Sequence, residues 1–313
     1  MDPEVVAVGR ISVDLYAREL NTGFAEQQSF TKSIGGSPTN VAVAAARLGR
    51  RSALVTKVGD DGLGRYARNR LREFGVLTDF VGTEAGGQTP LALAALDPPE
   101  TPQVAFYRGA SAPDTRLEVA DLPEDVVRRC RLLWMSLGAL AAGSTASASR
   151  AWLEMRARTG HTVLDLDYRP ALLSSVETAR SAAAEAVAQS TVVVGNLDEC
   201  EMALGTRDPE VAAAVLLDRG VELAIVKLGA EGALFASAAG RWSIAPTPID
   251  VVCGLGAGDA FGGALAHGLL EAWDVPDVGR FASAAGAYVA ARLTCADDMP
   301  DEDSVRELMG ESA

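Results

Sequence analysis

The sequence predicts an α/β fold: a mostly parallel central sheet covered by helices on both faces, with a small β-sheet lid added to it. Three observations carry this reading. Short apolar runs alternate with Ala-rich stretches along most of the 313 residues. Strand-like segments without a helix between them break that rhythm in two places. Hydrophobic residues make up 48% of the chain and the mean hydropathy is +0.13, so a sizeable core is available.

In chain order, Val5–Val8 reads as the first strand. Residues 12–16 and 27–34 are the first interruption, and 38–48, small and apolar, reads as a helix. Strand 53–58 and helix 64–74 follow, then the second interruption at 89–96 and 103–108. Leu132–Ser136, 163–166, 192–195 and Leu223–Lys227 read as strands, with helices over 147–158, 176–189 and 209–219 between them. Helices over 260–270 and 281–293 close the pattern. Antiparallel strands in the two interruptions, about 11–17, 27–34, 89–96 and 103–108, predict a separate small sheet. Its expected place is over the C-terminal edge of the main sheet, where α/β folds bind ligands. No linker marks a second domain, so residues 1–313 read as one unit.

The formal charge is −14 and the isoelectric point about 4.7. No basic stripe exists, which argues against nucleic acid as a partner. An anionic substrate must be gripped by placed arginines or backbone amides, because lysine is confined to Lys32, Lys57 and Lys227. No apolar run is long enough to span a membrane, and the N-terminus runs into a strand without a basic leader. Cys130, Cys200, Cys253 and Cys295 lie far apart with no CxxC spacing, which speaks against a zinc site or a disulfide framework. The expectation is a reduced, cytoplasmic protein.

Chemistry concentrates in Cys253-Gly254-Leu255-Gly256-Ala257-Gly258-Asp259. A glycine turn feeding a helix start aims free backbone N–H groups at one point, with the helix dipole behind them. Asp259 at that turn can accept a proton from an attacking hydroxyl, or simply cap the helix. Gly35-Gly36-Ser37-Pro38-Thr39-Asn40 opens the first long helix: the glycines permit close backbone approach, and Asn40 offers a donor and an acceptor to a sugar hydroxyl. Asp14, where the chain enters the lid, is either solvated or bound to a pair of hydroxyls. Asn196-Leu197-Asp198-Glu199 follows a strand, and on its own Glu199 reads as a first-turn helix carboxylate. Arg108 and Arg169 are candidates to grip a carboxylate through the guanidinium fork, or to pair with local acids. Lys227, Gly229 and Gly232 form a strand end and glycine turn that can border phosphates. His161 and His267 lie in helical or helix-end contexts and need no role.

The run from Gly35 to Gly49 and the run from Leu255 to Phe261 resemble the two signatures of the ribokinase-like (PfkB) carbohydrate kinases. The order and spacing of elements from Val5 to about Leu293 are similar too. The resemblance implies a three-layer kinase fold that uses ATP and Mg²⁺. It implies Asp259 as general base, the amides of Gly256, Ala257 and Gly258 as anion hole, and Asp14, Gly35, Gly36 and Asn40 around the sugar. Asn196, Lys227, Gly229 and Gly232 would border the nucleotide, with Glu199 organising magnesium through water. The segments holding Arg108 and Arg169 resemble the acid-sugar branch, where such arginines hold the substrate acid. Within it, Gly9–Tyr16, Asp165–Pro170 and Arg292–Pro300 are most similar to kinases of inositol breakdown, which phosphorylate 5-dehydro-2-deoxy-D-gluconate at its primary hydroxyl. Phosphorylation of 2-keto-3-deoxygluconate or of a neutral sugar stays open, as does a catalytically silent binding protein. One departure stands out: Cys253-Gly254 replaces the usual Asp-Thr of the second signature. A thiol is a poor ligand for an alkali cation, which puts a monovalent-cation site in doubt. A homodimer through the lid is a candidate assembly.

Overall fold

The computed structural model describes residues 2–170 and 175–311. β1 (Val5–Val8) opens the main sheet, and β2 (Ser12–Leu20) and β3 (Phe30–Gly35) leave it. α1 (Ser37–Arg47), β4 (Ser52–Gly59), α2 (Gly62–Glu73) and β5 (Val81–Glu84) return to it, and β6 (Leu91–Leu96) and β7 (Gln103–Tyr107) leave it again. The alternation then runs α3 (Glu124–Arg129), β8 (Leu132–Ser136), α4 (Gly143–Arg156), β9 (His161–Asp165), α5 (Val176–Ala188) and β10 (Val192–Asn196). It continues through α6 (Leu197–Leu204), α7 (Pro209–Asp218), β11 (Leu223–Lys227) and the hairpin β12 (Ala233–Ser237) and β13 (Gly240–Ile244). Three helices end the described chain: α8 (Ala257–Leu270), α9 (Val275–Ala290) and α10 (Glu302–Leu308).

The main sheet has the order β13-β12-β11-β10-β9-β8-β1-β4-β5. It is parallel from β11 to β5, and β12 and β13 add an antiparallel edge. Successive residues of a strand face opposite ways, so one strand feeds two cores. Val5 and Ala7 pack under α1, α2, α8 and α9, while Val6 and Val8 pack under α3 to α7. Three layers result, as the alternation predicts.

The small sheet has the order β3-β2-β6-β7. The sequence reading made all its strands antiparallel, and here the structure differs: β2 and β6, at its centre, run parallel. Each follows a parallel strand of the main sheet, β1 and β5, so both leave the same C-terminal edge in the same direction. Both sheet edges also escaped the sequence reading. β5 is only four residues long with a single buried one, and β12 and β13 are joined by a tight turn between modest apolar runs. α4 begins earlier than predicted and ends at Arg156, because Ala157 and Arg158 both take the left-handed conformation (φ 48° and 59°). His161 starts β9 rather than lying at a helix, whereas His267 does lie in α8.

Candidate active site

The turn before α8 is held on two sides. The N–H groups of Val252 and Cys253 donate to the Ala290 carbonyl at the end of α9 (2.9 and 3.1 Å). Gly254 N–H donates to the Pro99 carbonyl in the β6–β7 connection (2.9 Å), and a Cβ at Gly254 would stand 2.1 Å from the Glu100 carbonyl oxygen. Close approach of the small sheet to this turn is therefore what the departure from Asp-Thr permits. Gly256 caps α8 at φ +78°, and a Cβ there would meet Cys295 Sγ at 2.5 Å. Burial pushes the Cys253 thiol up to about 11, so it is held as a neutral small residue rather than a nucleophile.

Two cavities meet at this turn. The larger, about 560 Å³, is mostly apolar and is lined by Lys227, Gly229, Gly232, Ala257, Gly258 and the 246–249 stretch. The smaller, about 290 Å³, lies under β2, β6 and β7 and is lined by Arg10, Asp14, Asn40, Arg108, Arg169 and Asp259. Gly256 and Gly36 also face the smaller one. Residues of one turn thus close the end of both, which is the arrangement needed to pass a group from one ligand to another.

Asp259 sits at the junction. Asn40 Nδ2 donates to its Oδ2 at 2.7 Å, while Asn40 Oδ1 is buried without a partner among the described residues. Burial raises the Asp259 pKa above the ordinary carboxylate value, and the Asn40 hydrogen bond opposes the shift. Asp14 accepts from Ser12 Oγ (2.6 Å) and Tyr16 OH (3.3 Å) and lies so close over Gly35 that any Cβ there would collide with its carboxylate. Burial brings Asp14 to about 6 against these two hydrogen bonds.

Lys227 Nζ stands 3.9 Å from Asp165 Oδ1. Burial opposes its charge, but Asp165, Glu199 and Asp259 together hold its pKa above the usual value. Asp165 itself, also approached by Ser37 Oγ (3.4 Å), is pushed up to about 7 by burial despite Lys227. Asn196 caps α6 and forms a capping box with Glu199: Glu199 N–H donates to Asn196 Oδ1 (2.9 Å) and Asn196 N–H to Glu199 Oε2 (2.7 Å). Among the described residues no group of three or more acidic, His or Cys side chains could hold a metal by itself. A single buried carboxylate with a spare oxygen, as at Glu199, instead suits Mg²⁺ carried mainly by phosphates and water.

Arg10, Asp167 and Asp114 did not emerge from the sequence as site residues. Arg10 follows β1 and donates to Asp167 Oδ2; Asp114 accepts from both terminal nitrogens of Arg108 (2.6 and 3.3 Å) and from Ile11 N–H (3.2 Å). All three belong to short runs whose polar residues look like ordinary loop charges, and only the fold shows the two acids buried and paired to arginines of the smaller cavity. Of the site residues expected from the sequence, Gly35 lies under the Asp14 carboxylate, Asn196 and Glu199 sit next to Lys227 on the adjoining strand end, and the others line one of the two cavities.

The fold and the paired cavities define a phosphotransferase of the sugar-kinase type. The chain belongs to the pfkB family of carbohydrate kinases, whose profile matches residues 2–302. It is similar to the 5-dehydro-2-deoxygluconokinases of Geobacillus kaustophilus (32% identity, 98% of this chain and 93% of that protein) and Geobacillus thermodenitrificans (31%, with the same coverage). In fold it is similar to a fructokinase from Xylella fastidiosa with bound ATP, at a TM-score of 0.85 and 23% identity, over 98% of this chain and 98% of that one. No described helix is long and apolar enough to cross a membrane.

Proposed function

We propose that this carbohydrate kinase phosphorylates a sugar acid, 5-dehydro-2-deoxy-D-gluconate in the first instance, giving the 6-phosphate. The observation that carries the reading is the smaller cavity: Asp259 stands at the shared turn, and three arginines line the same space. The name of the Geobacillus relatives supports the same substrate. In this reading Asp14 and Asn40 hold sugar hydroxyls over Gly35 and Gly36. The primary hydroxyl lies against Asp259, where burial makes the carboxylate a stronger proton acceptor than an exposed one. The hydroxyl oxygen bonds to the γ-phosphorus of ATP, and the bond from that phosphorus to the bridging oxygen breaks, its electron pair leaving with ADP. The hydroxyl proton goes to Asp259. The amides of Gly256, Ala257 and Gly258 receive the charge of the transferring group.

Lys227, Gly229, Gly232 and Asn196 border the nucleotide in the larger cavity. Magnesium, held near Glu199 through water, would neutralise phosphate charge. Closure of the small sheet excludes water as a competing acceptor. Four buried free thiols suit the reducing cytoplasm, and pairing of two copies through the small sheet is the assembly proposed. A kinase for 2-keto-3-deoxygluconate is the second reading, since it uses the same arginines. ATP consumption by the purified protein over a panel of both sugar acids, fructose and ribose tests the proposal. Turnover highest on a neutral sugar, or none on any acid, would overturn it.

A further inference from the structure

Arg10 leaves β1 where the chain turns toward the small sheet. Its side chain is only 11% exposed, and its backbone carbonyl is fixed by Thr39 Oγ1 (2.9 Å). Its Nη2 donates to Oδ2 of Asp167, which is also buried. The other oxygen of Asp167, Oδ1, accepts from Arg169 Nε at 3.1 Å. One buried carboxylate therefore holds two guanidiniums, one through each oxygen.

The third arginine is satisfied in a different way. Arg108 places both terminal nitrogens on the two oxygens of Asp114, so its fork is already filled. Arg169 is neither filled nor buried. Its side chain is 49% exposed and lines the smaller cavity, and its Nη1 and Nη2 have no hydrogen-bond partner among the described residues.

We propose that Arg10 is a positioning residue for substrate recognition: by occupying Asp167 Oδ2 it keeps Asp167 from taking Arg169 bidentately, and so leaves the end of the Arg169 guanidinium for the carboxylate of a sugar acid. The inference deepens the proposed function and rests on it. A guanidinium and a carboxylate left to themselves settle into the two-bond fork. Without Arg10, both oxygens of Asp167 are available to Arg169, and the fork closes on the protein's own acid. With Arg10 in place, two guanidiniums share one carboxylate, so Asp167 alone does not neutralise Arg169. Burial by itself would raise the Asp167 pKa, but Arg10 and Arg169 hold it below the usual carboxylate value, so the acid stays charged. Arg10 Nε, buried and without a partner among the described residues, is a further donor on the same side of the cavity.

The test compares the parent with Arg10→Met and Arg10→Lys, after thermal melts show which variants fold. The measured quantities are kcat and KM for 5-dehydro-2-deoxygluconate, with KM for ATP as the internal control. Arg10→Met should raise KM for the acid about 10- to 100-fold, leaving kcat and the ATP KM within about threefold. Arg10→Lys should recover part of the loss, because it restores a charge at Asp167 Oδ2. Should Arg10→Met not fold, Arg10→Lys alone must show an intermediate rise in KM for the acid. An unchanged KM for the acid overturns the inference, as does a fall in kcat at constant KM, which would put Arg169 on the phosphoryl group. Those results leave the sugar-acid assignment standing; that assignment falls if the parent itself prefers a neutral sugar or turns over no acid.

Discussion

In the turn from Cys253 to Asp259 the chemistry comes from consecutive residues, chiefly from backbone amides that glycine leaves open at the start of α8. The arginine side of the smaller cavity is assembled from the loops after β1, β7 and β9. There Arg10 meets Asp167 across 157 positions, and Ile11 meets Asp114 across 103. The first region works through fixed dipoles aimed at a phosphoryl group. The second works through charged side chains, each neutralised by a buried acid except where a ligand is wanted. A local device is fixed by local sequence; a distributed one is fixed only once the fold brings its parts together.

The sharpest way to break the first region is to remove its base. Asp259→Asn keeps the hydrogen-bonding shape beside Asn40 and should lower kcat by about 10²- to 10⁴-fold with ATP affinity nearly intact. A loss below tenfold in a folded variant would take the base role away from Asp259. Next in size, Gly254→Thr restores one residue of the common signature yet drives a side chain into the Glu100 carbonyl. It should displace the turn from the β6–β7 connection and cost about 10- to 100-fold in kcat/KM for ATP. Activity at the parental level would mean that the connection does not support the turn.

A smaller effect tests the electrostatic side. Asp14 has a folded-state value of about 6, above the ordinary 3.8, so its ionised form is penalised by folding. That penalty is absent below about pH 4, grows as the pH rises through 6 and is complete above it. Asp14→Asn should therefore melt a few degrees higher than the parent at pH 8 and with little difference at pH 4, while losing activity. Equal melting of the two proteins at pH 8 would count against the buried charge. The smallest effect concerns potassium. With Cys253 and Gly254 in place of the usual oxygen-bearing pair, replacing potassium by a large organic cation should change the rate by less than about threefold. A larger rise with potassium would show that other oxygens have rebuilt a cation site.

The same contrast explains what could be read before the fold was seen. The alternation of strand and helix, Gly256 to Asp259, the Gly35-Gly36 turn before a helix and Glu199 in a helix's first turn are local patterns, and each is where the sequence puts it. Arg108 and Arg169 were legible as charges beside turns, but their different states were not. Whether an arginine is filled by Asp114 or left half open by Asp167 depends on partners that only packing supplies. Arg10 was hidden for the same reason, and the parallel pairing of β2 with β6 because direction in a sheet follows from where strands exit another sheet.

The central claim is that the open arginine selects an acid for the base at the turn. The most direct measurement is kcat/KM for 5-dehydro-2-deoxygluconate, 2-keto-3-deoxygluconate, fructose and ribose in the parent and in Arg169→Ala. The parent should prefer 5-dehydro-2-deoxygluconate, and Arg169→Ala should lower kcat/KM for the acids about 30- to 1000-fold, with a much smaller loss on the neutral sugars. Parental preference for fructose or ribose, or equal losses on acids and neutral sugars, would contradict the account.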